Sequence, residues 1–498
     1  EEPELSEVAS EEREAYKSRH RSLGFAFFTA LVPIAAMAAE QSGVTVPFWT
    51  GDRQTQGVAM LACLLIVLVL CWHVPVYAIR KLSEKRCVSA LLVSLAVLAA
   101  VVDCALWLLV PGRGEALPYT AAAGLALCFA LRGFYTTAMR DDYASRLQTV
   151  FLPVIFMAAL VFAGLTSLGR GHGIDFLRNW SVILTAGATC SLPLCWSLPW
   201  SRLTRRQQKS GCAVAGWDGA ARVGKRRGMI LTDTDLFPPG TIRLNGVKVY
   251  GEELGKVSAY AAAAARAAGC GLERVFEGLA VGENAPRETA QDLSFYEQGG
   301  FGCTIHGESV LLGTASFLRK QDVRLPSNIN LKTGIFLAID HQLAAVFAVK
   351  YEASENVDYA LRTLRRSRIT PILAVRDPNI TPALLKRKFY KKIKVEYPQL
   401  TDRVALSEAE EDRGLPRALL LREGLLPYAE AVVGSRRLRT AVRRATWLSL
   451  AGSAAGVLLT AYLVSLGKFD LLTPLSLTVF LLLWTLPVLL MSDWTGRY

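Results

Sequence analysis

The chain has 498 residues, 52% of them hydrophobic, and a mean hydropathy of +0.29, which excludes an ordinary soluble protein of this size. Its net charge of +13 comes without a nucleic-acid-binding motif, so nucleic acid is excluded as a partner and the basic stretches are assigned to anionic lipid and topology. The ten cysteines are scattered with no close pair at metal-finger spacing, which argues against a zinc finger and against a disulfide framework.

The apolar residues are bunched into runs that can each cross a bilayer, which takes about 20 residues of helix. Eight spans are expected, at 24–40, 57–79, 88–110, 117–132, 149–168, 178–200, 445–466 and 470–491. The first follows an acidic and then basic tail and is not a cleavable signal peptide. Placing both termini inside puts Arg13, Lys17, Arg19, Arg21, Arg80, Lys81, Lys85, Arg86, Arg132, Arg140 and Arg146 on the cytoplasmic side, against Arg53, Arg113, Arg170, Arg178 and Lys468 outside. Positive charge resists translocation, so both termini and the soluble block between the sixth and seventh spans are expected in the cytoplasm of a multi-pass cell-membrane protein. Asp103 is a carboxylate at mid-span depth and therefore a functional candidate or a partner for a neighbouring helix. In the sixth span Cys190 and Cys195 flank Pro193; thiols beside a helix-breaking proline can take a soft ion, or simply pack.

The soluble block opens and closes on basic stretches, 202–209 and 436–444. Residues 228–232 read as a buried strand, followed by Asp233-Thr234-Asp235 and the break Pro238-Pro239-Gly240. A helix is expected over 252–268, then an antiparallel sheet from 301–305, 309–313, 334–340 and 343–349. An amphipathic helix over 357–366, a second buried strand over 369–375 ending at Asp377, and a helix over 381–389 complete the block. Strand, insert, helix and strand imply an α/β core split by a smaller α+β module. The expected domains are a tail (1–22), a six-span region (23–200), a core in two parts (201–249 and 349–444), the inserted module (250–348) and a two-span region with the C-terminal tail (445–498).

Asp233 ends an apolar strand, where ligands of α/β sheets bind. A carboxylate there can attack phosphorus, and Asp235 two residues on can serve as acid and base. The same Asp-x-Asp before proline is also an ordinary turn. The arrangement resembles the haloacid dehalogenase superfamily. The wider pattern resembles the heavy-metal branch of the P-type ATPases within it. Gly211–Gly216 stands where that family has its approach to the phosphorylation strand, and Asp233-Thr234-Asp235 with Gly240-Thr241 stands where it has D-K-T-G-T. Gly300-Phe301-Gly302 and the later Gly313 resemble its nucleotide module, and Asp377 falls at the aspartate of its T-G-D. The resemblance implies Asp233, Asp235, Thr241 and Asp377 as catalytic positions and Gly300, Gly302 and Gly313 as nucleotide contacts. It further implies magnesium on Asp233 and Asp235, a transported ion at Cys190 and Cys195, and ATP and magnesium as weak ligands.

The departures are equally specific. The family's Lys-Thr is replaced by Thr234-Asp235, and its hydroxyl before the second aspartate by Val375-Arg376. Pro398–Thr401 lacks the phosphate-binding lysine, for which Lys391, Lys392 or Arg403 are stand-ins or plain surface charge. Only the acidic stretch of Glu408, Glu410, Glu411 and Asp412 stands near the magnesium motif, and Gly269-Cys270-Gly271 replaces the adenine-site His-Pro. The family's actuator domain belongs between the fourth and fifth spans, where 133–147 is too short to fold alone. Three functions follow: a degenerate relative with regulatory, sensing or scaffold work and a membrane-protein partner; a membrane-tethered Asp-based phosphohydrolase; or a cation pump borrowing its actuator from another chain.

Overall fold

The computed structural model describes residues 2–46, 49, 53–110, 116–135, 143–169, 173–326, 331, 333–389, 394–408, 417–422 and 424–497. They form two compact units. One comprises residues up to Arg206, Gly216–Asp218 and everything from Arg437; the other comprises Gln207–Ala215 and Gly219–Arg436.

The first unit is a helical membrane bundle. Among the described residues six helices are long and apolar enough to cross a bilayer: Arg21–Gln41, Arg53–Leu70, Ser89–Leu109, Tyr143–Leu168, Leu425–Leu466 and Pro474–Gly496. Two of the eight expected spans fall short of that standard, each for a local reason. The fourth is the shorter helix Thr120–Gly133, Ala-rich and almost wholly buried among its neighbours. The sixth is divided into Phe176–Gly187 and Leu194–Ser210. Pro193 has no N–H to give to the carbonyl at 189 and its ring crowds that carbonyl, so the helix cannot run through. In the same way the second span stops at Leu70 and restarts as His73–Ser83, because Pro75 opposes the carbonyl of Cys71.

Non-helical backbone at membrane depth is tolerated only where protein covers it. Ala188, Thr189, Cys190, Ser191 and Leu192 are all buried. Their polar groups are met locally: Leu192 N–H donates to the Thr189 carbonyl, and Gln148 Nε2 donates to the Leu192 carbonyl at 3.1 Å.

The second unit is the α/β domain. Among the described residues ten short strands order it: β1 (Cys212–Val214), β2 (Gly228–Leu231), β3 (Ile242–Val249), β4 (Gln291–Tyr296), β5 (Gly300–Ile305), β6 (Glu308–Gly313), β7 (Gly334–Ile339), β8 (Gln342–Tyr351), β9 (Thr370–Leu373) and β10 (Ala418–Leu420). β2 and β9 pair in parallel, Leu231 opposite Leu373, and the intervening chain carries the inserted module. That module is an antiparallel sheet in the order β3-β8-β7-β6-β5-β4, covered by the helices Leu254–Ala268 and Glu273–Gly282. β3 pairs with β8 from Ile242 opposite Tyr351 to Val249 opposite Ala345. The helix Glu355–Arg366 buries Val357, Ala360, Leu361 and Leu364 on one stripe and precedes β9. β1 and β10 form a separate antiparallel pair.

Candidate active site

Two strand ends make the site. β2 is a four-residue apolar run, and the chain turns at Thr232 into the short helix Asp233–Leu236. A reciprocal cap fixes this turn: Asp235 Oδ2 accepts from Thr232 N and from Thr232 Oγ1, both at 2.9 Å. Beside it β9 ends, and Val375, Arg376 and Asp377 curl over the same edge. The parallel pairing therefore places Asp233 and Asp377 side by side, although 144 residues separate them in sequence.

The Asp233 carboxylate accepts from three backbone amides. Gly271 N donates to Oδ2 at 3.2 Å, Arg376 N to Oδ1 at 3.2 Å and Asp377 N to Oδ2 at 3.2 Å. Gly271 belongs to the inserted module, in the turn between its two helices; a Cβ on it would lie 3.1 Å from Asp233 Cβ. Asp377 is fully buried: Tyr351 Oη donates to its Oδ2 at 2.7 Å and Asn379 N to its Oδ1 at 2.9 Å.

Both carboxyls hold their protons more tightly than usual. Burial lifts Asp233 to about 6, against the pull of the amides of Asp377, Gly271 and Arg376 and the Arg376 charge. Burial and then the Asp233 charge lift Asp377 to about 7, against the bonds from Tyr351 and Asn379. The pair titrates as one unit near neutrality. Cys270, next to both, is raised well above an ordinary thiol by burial and by the two carboxylates, so it stays protonated and unreactive.

A cleft of 590 Å³ opens over Asp233, with Thr234, Glu273, Arg376, Ser407 and Glu408 on its walls. Arg376 crosses it: Nε donates to Ser407 Oγ at 2.7 Å and Nη1 to the Ala268 carbonyl at 3.1 Å. Of the sequence candidates, Asp233 and Asp377 meet here and Glu408 stands at the rim. Asp235 is committed to Thr232, and Thr241 Oγ1 donates to the Pro238 carbonyl at 2.7 Å in the turn leading to β3. Arg403 is buried behind the strand end, with Nη1 donating to Tyr397 Oη at 2.6 Å and its guanidinium over the Tyr397 ring. Lys391, Lys392, Glu410, Glu411 and Asp412 lie outside the described residues, as do residues 136–142 of the 133–147 connection.

The glycines read as nucleotide contacts are closely packed on one side. A Cβ at Gly300 would stand 2.1 Å from the Phe317 ring, one at Gly313 would stand 2.6 Å from both Gly300 Cα and Phe317, and one at Gly302 would stand 3.0 Å from Leu311. Phe317 and Leu311 stand on the side of these glycines where a Cβ would project. Magnesium takes hard, ionised oxygens; of the pair expected to hold it, Asp233 carries the three amide bonds and Asp235 Oδ2 is bonded by Thr232.

In the membrane bundle the break separates the two cysteines. Cys190 belongs to the buried core that also holds Cys71 and Cys128. Cys195 turns to the helix Leu425–Leu466 instead, contacting Ser449 Oγ at 3.1 Å. Among the described residues no three His, Cys, Asp or Glu side chains are grouped to hold a metal ion. Asp103 is buried in Ser89–Leu109.

No family model matches the sequence, and no curated protein matches it. Solved structures do. A zinc-transporting PIB-type ATPase in its E2.Pi state aligns at TM-score 0.51 and 10% identity, over 96% of this chain and 100% of that one. A zinc-transporting PIB-type ATPase in the E2P state gives 0.46 and 12%, over 93% and 99%. The N-domain of a copper-transporting P-type ATPase gives 0.21 and 17%, over 22% of this chain and 100% of that domain. At such identities the likeness is one of fold: the chain has the fold of a heavy-metal P-type ATPase, a helical membrane bundle with an α/β domain and its inserted module.

Proposed function

We propose that this chain is a membrane relative of the cation-transporting P-type ATPases whose phosphorylation-like carboxylate is held by backbone amides, and that it works as a regulator, sensor or scaffold for a membrane-protein partner. The observation that supports this reading is the trio of backbone amides on Asp233. An attacking carboxylate needs a free oxygen and a cationic partner for the transferred phosphoryl group. Here both oxygens are occupied, one of the donors comes from the inserted module, and the position of the family's phosphate-binding lysine is Thr401. Loss of one such electrostatic contact costs on the order of 100- to 1,000-fold in rate. Any ATP bound is then a ligand rather than a substrate. Asp235, engaged by Thr232, is not aimed as the water-activating acid of a phosphatase. The lysine and arginine distribution supports placing the α/β domain and both termini in the cytoplasm.

The test is turnover by the reconstituted protein with labelled ATP and with a generic phosphate ester, beside Asp233→Asn and Asp235→Asn. The expected result is no phosphate on Asp233 and no turnover above either variant. Metal-stimulated ATP hydrolysis abolished by Asp233→Asn would revive the pump. Ester hydrolysis lost in both variants without metal stimulation would establish the tethered phosphohydrolase.

A further inference from the structure

A second site stands out in the membrane unit, where the helix Leu425–Leu466 enters its apolar run. From Ala445 to Leu466 this helix carries no charged residue, and directly before that run come Arg439, Arg443 and Arg444. Positions 439, 443 and 447 are spaced by four, as are 440, 444 and 448, so the arginines and the next turn share a face. That face lines a groove of 550 Å³ together with Thr440, Trp447, Leu448 and, from the helix Thr485–Gly496, Met491. The groove is graded: three guanidinium groups at one end, an aromatic ring, then aliphatic surface. Trp447 and Leu448 are 48% and 39% exposed, and Met491 closes the apolar end.

The wall is built, not incidental. Trp447 Nε1 donates to Tyr143 Oη at 3.1 Å, Phe151 meets the Trp447 ring edge-on, and the Arg443 guanidinium lies 5.6 Å from the Tyr143 ring centre. A Trp–Tyr pair of this kind belongs at the boundary between headgroups and hydrocarbon. Arg439 and Arg444 form no ion pair among the described residues, and Asp493, the acid closest in sequence to Met491, is taken by Arg497 at 2.9 Å. Three cations with no ion pair among the described residues, continuous with an apolar slot, match an amphiphile with a negative head.

We infer that this groove binds an anionic phospholipid, its phosphate on Arg439, Arg443 and Arg444 and an acyl chain along Trp447, Leu448 and Met491. The site is independent of the carboxylate site and of the function proposed above. A cation near an anionic lipid surface is worth about five-fold in affinity, so three give a preference on the order of 100-fold over a zwitterionic lipid.

The experiment places the full chain in phosphatidylcholine nanodiscs and titrates brominated phosphatidylglycerol or brominated phosphatidylcholine, reading quenching of tryptophan fluorescence. The expected result is saturable quenching by the anionic lipid at far lower mole fraction, and disappearance of that component in Trp447→Phe. The triple variant Arg439→Gln, Arg443→Gln, Arg444→Gln should lose the preference about 100-fold. The triple lysine variant, which keeps the charge and serves as the folding control, should hold it within a few-fold. Equal quenching by the two lipids overturns the site, as does a glutamine variant that keeps the preference. Displacement of the brominated lipid by inorganic phosphate at equal concentration would show anion binding without the acyl chain, and overturns it too.

Discussion

Two glycine-bearing segments of the inserted module, a strand pair and a turn, carry different messages. Gly300, Gly302 and Gly313 have the look of a ligand cradle, and the fold spends them on packing: β5 and β6 close directly beneath the Phe317 ring. Gly269-Cys270-Gly271 has no motif to advertise it, and the fold sets it against the candidate nucleophile, with an amide on Asp233 Oδ2. A glycine spaced like a motif states only that a side chain is unwelcome. Whether a ligand or another side chain excludes it depends on residues far away in the chain, and four predictions test that distinction here.

The largest effect concerns the carboxylates that Gly271 helps to enclose. Asp233 and Asp377 have folded pKa values of about 6 and about 7, above their ordinary value of 3.8. The folded state therefore binds more protons than the unfolded chain between about pH 4 and pH 7, and stability is lost as pH rises through that window. For Asp233 alone the loss is on the order of 3 kcal/mol. Thermal unfolding of the solubilised protein should show a lower midpoint at pH 8 than at pH 5, and Asp377→Asn should flatten the dependence. A midpoint that rises toward pH 8 would show that the two acids are not held protonated.

Gly300→Ala comes next. Phe317 is fully buried and has no room to retreat from a new methyl at 2.1 Å, so overpacking should cost about 2 to 3 kcal/mol, read as a lower denaturation midpoint. An alanine variant of wild-type stability would mean that the space above Gly300 is open and would restore the cradle reading. Tyr351→Phe is smaller. It removes the hydroxyl on Asp377 Oδ2 and leaves a buried acceptor without that donor, for about 1 to 2 kcal/mol, and the fall should be greatest above pH 7, where Asp377 is ionised.

The strand ends were legible because each is a short apolar run that stops at an aspartate, and two such runs flanking an insert imply neighbouring parallel strands; the fold pairs them as expected. The apolar runs likewise announced the membrane helices; Pro193 was visible as a helix breaker, but the run around it is apolar enough to read as one span, so the extent of the break at 188–193 was not. β3 escaped because half of it is exposed and only Ile242 is buried; pairing with β8, not burial, makes it a strand. The seal on Asp233 could not be read at all. Its donors are backbone amides, which every residue but proline carries, so residue type holds no record of them. Phe317 was equally silent, being one phenylalanine among 20 until β5 and β6 close beneath it.

Gly271→Ala is the smallest change and the one that separates the two segments most sharply. Its φ is not in the left-handed region, unlike Gly269 at 60°, so alanine meets no backbone strain there. The new methyl would lie 3.1 Å from Asp233 Cβ, a contact relieved by a shift of a few tenths of an ångström, and the turn lies on the wall of an open cleft into which it can move. The stability cost should stay under about 1 kcal/mol, well below that of Gly300→Ala. The shift does lengthen the Gly271 amide bond to Asp233, already 3.2 Å, and that bond is among those that favour the ionised form. Weakening it should raise the titration midpoint of the Asp233–Asp377 pair, measured by infrared carboxyl absorption against Asp233→Asn. An unchanged midpoint with a stability loss equal to that of Gly300→Ala would make Gly271 one more packing glycine. A raised midpoint at nearly unchanged stability would show that this turn acts on the carboxylate itself, which is the role that its place in the fold gives it.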